Sequence, residues 1–243
     1  MEEIRLKNKT IMVVGAHPDD NDFTAAGAAA KAARNGCRVI YVVATKGNRG
    51  SDDRSMTPEK LWRIRRKEQI EAGKILGVSG FEFLEYNDGE LVPDIKLKED
   101  IVMLIRKHKP DIVFTMDPSA FYYKERGFIN HTDHRAIAEA TMDAVYPLAR
   151  DFLSFPRHAK KGLSPFAVKE LCFASSVNPH NANAFVDISN TISIKIKALA
   201  CHKSQIGDIA VLEKRIREWS AETGKKCGCG HAEAFVRIRL ADM

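Results

Sequence analysis

The chain has 243 residues, 44% hydrophobic and 29% charged, which is enough for one large buried core with a soluble surface. No apolar run approaches the ~20 residues that cross a bilayer, and residues 1–10 (MEEIRLKNKT) lack the apolar stretch of a signal peptide, so a cytoplasmic protein without a membrane span is expected. The formal net charge of +6 sits in short scattered clusters such as residues 63–67 and 157–161, which read as solvated faces rather than a nucleic-acid track and suit an anionic small substrate equally well.

Apolar runs rich in β-branched residues alternate with helix-like segments along the chain. Residues 10–16 (TIMVVGA) read as a buried strand, followed by a small-residue helix over 22–35. Residues 38–45 (RVIYVVAT) give a second strand, and Thr57-Pro58-Glu59 opens a helix that should run to Leu76 and stop at Gly77. Residues 81–86 (FEFLEY) form a third strand and 94–109 a helix, which Pro110 ends. Residues 111–117 (DIVFTMD) make a fourth strand, and after a loop over 118–130 a helix spans 132–146. Residues 148–165 read as an irregular basic surface excursion. Strands within 168–176 and 184–189, helices near 191–204 and 209–224, and a last strand over 232–240 complete the pattern. Strands alternating with helices imply an α/β fold with a mostly parallel sheet covered on both faces. No linker, repeat or low-complexity block divides the chain, so a single domain over 1–243 is expected.

In open α/β sheets, sites form outside the carboxyl ends of parallel strands. The first strand ends in His17-Pro18-Asp19-Asp20, the fourth in Asp117-Pro118, and the loop beyond closes with His131-Thr132-Asp133-His134. Zinc accepts imidazole nitrogen and carboxylate oxygen, and catalytic zinc keeps three protein ligands. His17, Asp20 and His134 would supply such a set, with Asp19 beside it as general base. Short matches of this kind are often coincidence, and Asp-Asp after a strand is commonly a turn or a helix cap. Asp22 in particular is placed as an ordinary cap, and Asp133 could cap or charge the next helix. The two motifs together, each at a strand's carboxyl end, carry the metal reading.

Five cysteines, an odd number, argue against a disulfide framework and for a reducing compartment. Cys227-Gly228-Cys229-Gly230-His231 has metal-ligand residue types, but no second Cys/His pair lies near, and it reads as a glycine-rich loop of ordinary thiols.

The motifs AHPDD, TKGNRG, RRKEQIEAGKILGV, KPDIVFTMDP and HTDHR, in that order, resemble the PIG-L/LmbE-like zinc-dependent N-deacetylases, and KIKALACHKSQ and HAEAFVRI extend the resemblance over nearly the whole chain. The resemblance implies a Rossmann-like three-layer α/β/α fold and Zn²⁺ held by His17, Asp20 and His134. It also implies Asp19 as general base, and His131 as the group that, as imidazolium, stabilises the tetrahedral intermediate or protonates the leaving amine. The implied activity is removal of an acetyl group from an N-acetylglucosamine-containing small molecule. Asp117 would orient His131 or contact the sugar, and Arg65 or Arg66 would lie near the substrate. The segment before EAF reaches the active site in some members of the family, so His231 would contact substrate, in its own or a neighbouring subunit, and His202 would brace the site from behind. A homo-oligomer, trimer or hexamer, is implied as well. Asn21 stands where the family's first motif often has Glu, and Thr132 where its second commonly has Pro; neither change removes a ligand or the base. The loops 47–58, 121–130 and 148–165 are expected to wall the pocket, with Tyr122 and Tyr123 available to stack on a sugar. The competing reading is a Rossmann-like nucleotide- or nucleic-acid-binding module without hydrolase activity. Such a module would want a Gly-rich first turn, where this chain has His-Pro-Asp-Asp.

Overall fold

A computed structural model describes residues 1–119, 121–124, 127–174 and 181–241, apart from the Tyr123 side chain. Strand β1 (Glu2–Glu3) is followed by β2 (Thr10–Gly15), α1 (Asp20–Arg34), β3 (Arg38–Thr45), α2 (Pro58–Leu76), β4 (Gly80–Tyr86), α3 (Ile95–His108) and β5 (Ile112–Thr115). A short hairpin, β6 (Tyr122–Tyr123) and β7 (Phe128–Ile129), precedes α4 (Thr132–Asp143). The chain ends through β8 (Glu170–Ala174), β9 (Ala184–Asp187), α5 (Ile192–Leu199), α6 (Ile209–Cys227) and β10 (Ala232–Arg239).

Eight strands form one sheet in the order β1-β9-β10-β8-β5-β2-β3-β4. All pairings are parallel except those of β10, which runs antiparallel between β8 and β9. The apolar residues of β2 alternate between faces, as period-2 geometry requires. Ile11 and Val13 pack with the alanines of α1 and with Ile192 and Ile196 of α5. Met12 and Val14 pack with Leu97, Ile101 and Ile105 of α3 and Ile137 of α4. This is the expected mostly parallel three-layer α/β/α arrangement. From the central strand β2 the chain moves outward through β3 to β4, then returns to β5 on the other side. The order therefore reverses between β2 and β5, and the crevice beyond their carboxyl ends is where such folds bind ligands.

Helix α2 begins and stops where its sequence says. Thr57 Oγ1 accepts the Lys60 N–H at 3.2 Å, Pro58 occupies the first turn, and Gly77 closes the helix with a left-handed φ of 80°. Helix α4 is shorter than its apolar pattern: it ends at Asp143, and Tyr146 leaves helical geometry at φ −147°, ψ 125° just before Pro147. A proline there forces the preceding residue out of the α region.

The segment 148–165 packs against α3. Arg106, in the last turn of α3, gathers it with hydrogen bonds to the carbonyls of Leu148 (3.1 Å), Ala149 (3.1 Å), Asp151 (2.7 Å) and Ser154 (3.0 Å). Arg157 and His158 reach Glu99 near the start of the same helix, so the segment runs along α3.

Candidate metal centre and active site

The turn after β2 is built around its own carboxylate. Asp20 Oδ2 accepts the His17 N–H at 2.7 Å, while the Asp20 N–H returns to the His17 carbonyl at 3.2 Å. Pro18 stiffens the turn. Asp19, between them, adopts φ 117°, ψ −33°, a strained conformation for a residue with a side chain.

Three imidazoles and Asp20 meet at the crevice. The His17 ring centroid lies 4.7 Å from that of His131 and 5.2 Å from that of His134. His17 Nδ1 is 3.1 Å from Asp20 Oδ2, and His134 Nε2 is 3.3 Å from Asp20 Oδ1. The opposite nitrogens face acceptors: His17 Nε2 lies 3.2 Å from Asp133 and 3.3 Å from Asp88, and His134 Nδ1 lies 3.1 Å from Asn130 Oδ1. The His17 and His134 nitrogens that face away from those acceptors are the ones turned toward the Asp20 carboxylate. These residue types and outer partners fit a metal site. His17, His131 and His134 also offer nitrogens that all lie within 4.8 Å of one another.

The electrostatics follow from burial and crowding. Burial works against the His17 imidazolium, but Asp20, Asp133 and Asp88 outweigh it and raise the pKa to about 12. In the metal-free protein a proton therefore takes the place of a cation among these carboxylates. Burial and the charge of Asp20 push Asp19 up to about 6, against the opposing pull of Arg65, His202 and His17. Its side chain keeps 15% exposure, against 9% for Asp20, so water can reach it.

His131 caps α4: its Nδ1 accepts the Asp133 N–H at 3.1 Å. An imidazolium has no lone pair to accept that bond, so the expectation of a charged His131 is corrected. The ring is neutral, with Nε2–H as a donor facing the crevice 3.9 Å from Asp88, and burial and the neighbouring His17 and His134 lower its pKa.

Arg65, rather than Arg66, faces the site. It is 5% exposed and donates to the carbonyls of Gly47 (3.1 Å) and Pro18 (3.0 Å), with Asp19 Oδ1 at 3.4 Å. Arg66 instead lies over the rings of Phe83 and Trp62. Asp117 does not orient His131. Its carboxylate is turned back on Ser119, accepting the main-chain N–H at 2.8 Å and the hydroxyl at 2.6 Å. His231 is not brought to the cluster within this chain, because its Nδ1 pairs with Ser220 Oγ on α6 at 2.8 Å. The nearby Cys229 Sγ is 3.5 Å from the His231 carbonyl, and among the described residues Cys227, Cys229 and His231 form no group of metal ligands.

Asp22 is not a helix cap. It is fully buried and bonded to Gln69 and to His202, whose ring is buried behind the turn. Asp133 neither caps α4 nor merely charges it. It accepts from the Gly89 N–H (2.7 Å) and the Leu91 N–H (3.2 Å), tying the β4–α3 loop to His17. Asp88, in that loop, was missed by sequence reasoning. Its position just beyond the carboxyl end of β4 was a signal, but Asn-Asp-Gly-Glu is also what a plain turn looks like.

A family model described as GlcNAc-PI de-N-acetylase, PIG-L, matches residues 12–145, a span holding His17, Asp19, Asp20, Arg65, Asp88, His131 and His134. The diacetylchitobiose deacetylase of Thermococcus kodakarensis is 29% identical over 93% of this chain and 82% of its own. A probable N-acetyl-α-D-glucosaminyl L-malate deacetylase 2 of Bacillus anthracis is 25% identical over 90% of this chain and 92% of its own. Among solved structures, the N,N'-diacetylchitobiose deacetylase of Pyrococcus horikoshii, complexed with an inhibitor, superposes with a TM-score of 0.86 at 29% identity, covering 97% of this chain and 88% of that one.

Proposed function

The chain belongs to the PIG-L family of GlcNAc-PI de-N-acetylases, and from that premise we propose that it is a zinc-dependent N-deacetylase that hydrolyses the acetamide of an N-acetylglucosamine-containing small molecule. The family description and the relatives' names share the N-acetylglucosamine unit while the rest of the molecule varies between phosphatidylinositol, a second sugar and malate. The acetamide is therefore the constant part of the substrate. The observation that carries the reading is the convergence of a ring nitrogen each from His17 and His134 on Asp20, with Asp19 alongside.

His17, Asp20 and His134 would hold the zinc, whose positive charge polarises an amide carbonyl and acidifies water. Asp19 accepts a proton from the attacking water as its oxygen bonds to the carbonyl carbon. His131 Nε2–H donates a hydrogen bond to the developing oxyanion, a contribution of about 3–4 kcal/mol for one well-placed donor. Asp19 then returns its proton to the amine nitrogen as the C–N bond breaks, giving acetate and a free amino sugar. Arg65, with Asp88 3.9 Å from its guanidinium, lies beside the base and would lie near a sugar bound there.

Four carboxylates, those of Asp19, Asp20, Asp88 and Asp133, line the crevice where a nucleotide phosphate would sit, so the nucleotide-binding reading has no support. A cytoplasmic enzyme is part of the same proposal, resting on the odd number of cysteines. A homo-oligomeric assembly, trimer or hexamer, in which His231 would face a neighbouring copy's substrate, is part of the same proposal. The test is free-amine release from a small panel, including N,N'-diacetylchitobiose and N-acetylglucosaminyl malate, by zinc-loaded and chelated protein. Release that depends on zinc is expected; stoichiometric zinc with no amine from any member would contradict the reading.

A further inference from the structure

Behind Asp19 runs a buried chain of polar groups that the hydrolysis itself leaves unused. The Asp19 N–H donates to Gln69 Oε1 at 2.9 Å, Gln69 Nε2 donates to Asp22 Oδ2 at 3.0 Å, and His202 Nε2 lies 2.7 Å from the same oxygen. Gln69, Asp22 and His202 are each 0% exposed. The residue at the head of this chain is the one whose backbone is strained at φ 117°. A non-glycine residue there costs roughly 1–3 kcal/mol and persists only where surrounding contacts over-determine it.

The direction of the amide is dictated from behind. A carboxylate only accepts, so the Gln69 NH₂ must face Asp22 and its oxygen must face the Asp19 N–H. Turned the other way, two donors would meet at Asp19 and two acceptors at Asp22, all without water. His202 holds Asp22 from the segment following α5. The neighbouring Glu68 fastens the same turn of α2 to that segment, accepting from the Ser204 N–H (2.9 Å) and hydroxyl (2.6 Å).

We propose that Gln69 is the positioning residue for Asp19, locked in its accepting orientation by Asp22 and His202. Its oxygen fixes the Asp19 peptide, and with it the direction of the carboxylate that takes the water's proton. The inference rests on the reading of Asp19 as base, and a double-mutant cycle separates the two. Gln69→Leu keeps the volume and removes the acceptor. Assayed on the best substrate of the panel above, it lowers kcat by about 10–100-fold, the scale of a ~1 Å misplacement of a reacting group. KM and bound zinc stay unchanged. In an Asp19→Ala background it costs nothing further, because Gln69 acts only through Asp19. A role confined to holding the fold would multiply the two losses instead, and that result would overturn the proposal. So would a wild-type kcat for Gln69→Leu beside an inactive Asp19→Ala. Wild-type activity of Asp19→Ala would overturn the base assignment itself. Where Gln69→Leu is not recovered folded, His202→Leu takes its place in the same cycle with the same outcomes, and His202→Gln, which keeps a donor to Asp22, restores the rate.

Discussion

His17 sits among Asp20, Asp88 and Asp133, and without a metal it balances them as an imidazolium with a pKa of about 12. A group whose folded pKa is raised contributes stability that is complete below its unfolded value of about 6.5 and is lost as pH rises toward the folded one. Asp19, raised to about 6, acts in the same sense: its neutral form stabilises the fold in acid, and that contribution is lost as pH rises through about 6. The chelated protein is therefore expected to melt at a lower temperature at about pH 9 than at about pH 6. The zinc-loaded protein, holding a cation where the proton was, should change far less. A chelated protein whose melting temperature rises with pH would contradict this charge arrangement. At this scale His17, Asp20 and His134 were legible because residue types with ligand chemistry stood at strand ends. Asp22 was not: an aspartate in the first turn of a helix is what a cap looks like, and its partners Gln69 and His202 lie 47 and 180 residues away.

Two elements hold the turn that carries Asp19 and Asp20. Gly47, in the β3–α2 loop, has φ +56°, and a Cβ there would stand 2.8 Å from both Arg65 and Pro18. Gly47→Ala is expected to cost about 1–3 kcal/mol and to lower kcat by moving Arg65 off Asp19, seen as a lower denaturation midpoint beside slower amine release. Helix α1 breaks at Ala25 (φ −150°, ψ 25°), which frees the Gly27 and Ala28 N–H groups. Glu233 accepts both, at 3.0 and 2.8 Å, and pairs with Lys195 at 2.7 Å, whose Nζ also takes the Phe23 carbonyl at 2.9 Å. Glu233→Leu leaves a buried ammonium without its counter-charge and two amides without an acceptor, so a loss of about 3–5 kcal/mol is expected in denaturant unfolding; a loss below ~1 kcal/mol would contradict the role given to the pair. Strands and helix stops were readable because hydrophobic period and cap residues are local signals. The break in α1 and the gathering of 148–165 by Arg106 were not, since each depends on a side chain from a distant element.

For the whole molecule, the sheet order places the amino-terminal motifs at one crevice, and the carboxyl-terminal third braces that crevice from behind. The family match ends at residue 145, yet Lys195, His202 and Glu233 lie beyond it and hold the turn that starts α1. The parallel layers and the shared rim followed from alternation of strand and helix. The reach of β10 into α1 through Glu233 did not, because register across 206 residues leaves no mark in the local pattern. The central claim is that Asp19 works as the base of a zinc-dependent deacetylase. It is tested most directly by bound zinc and acetate release for Asp19→Ala beside wild type, each loaded with zinc. About one zinc per chain in both, with a rate at least ~10³-fold lower in the variant, is the predicted result. A variant that holds zinc and deacetylates at nearly the wild-type rate would contradict it.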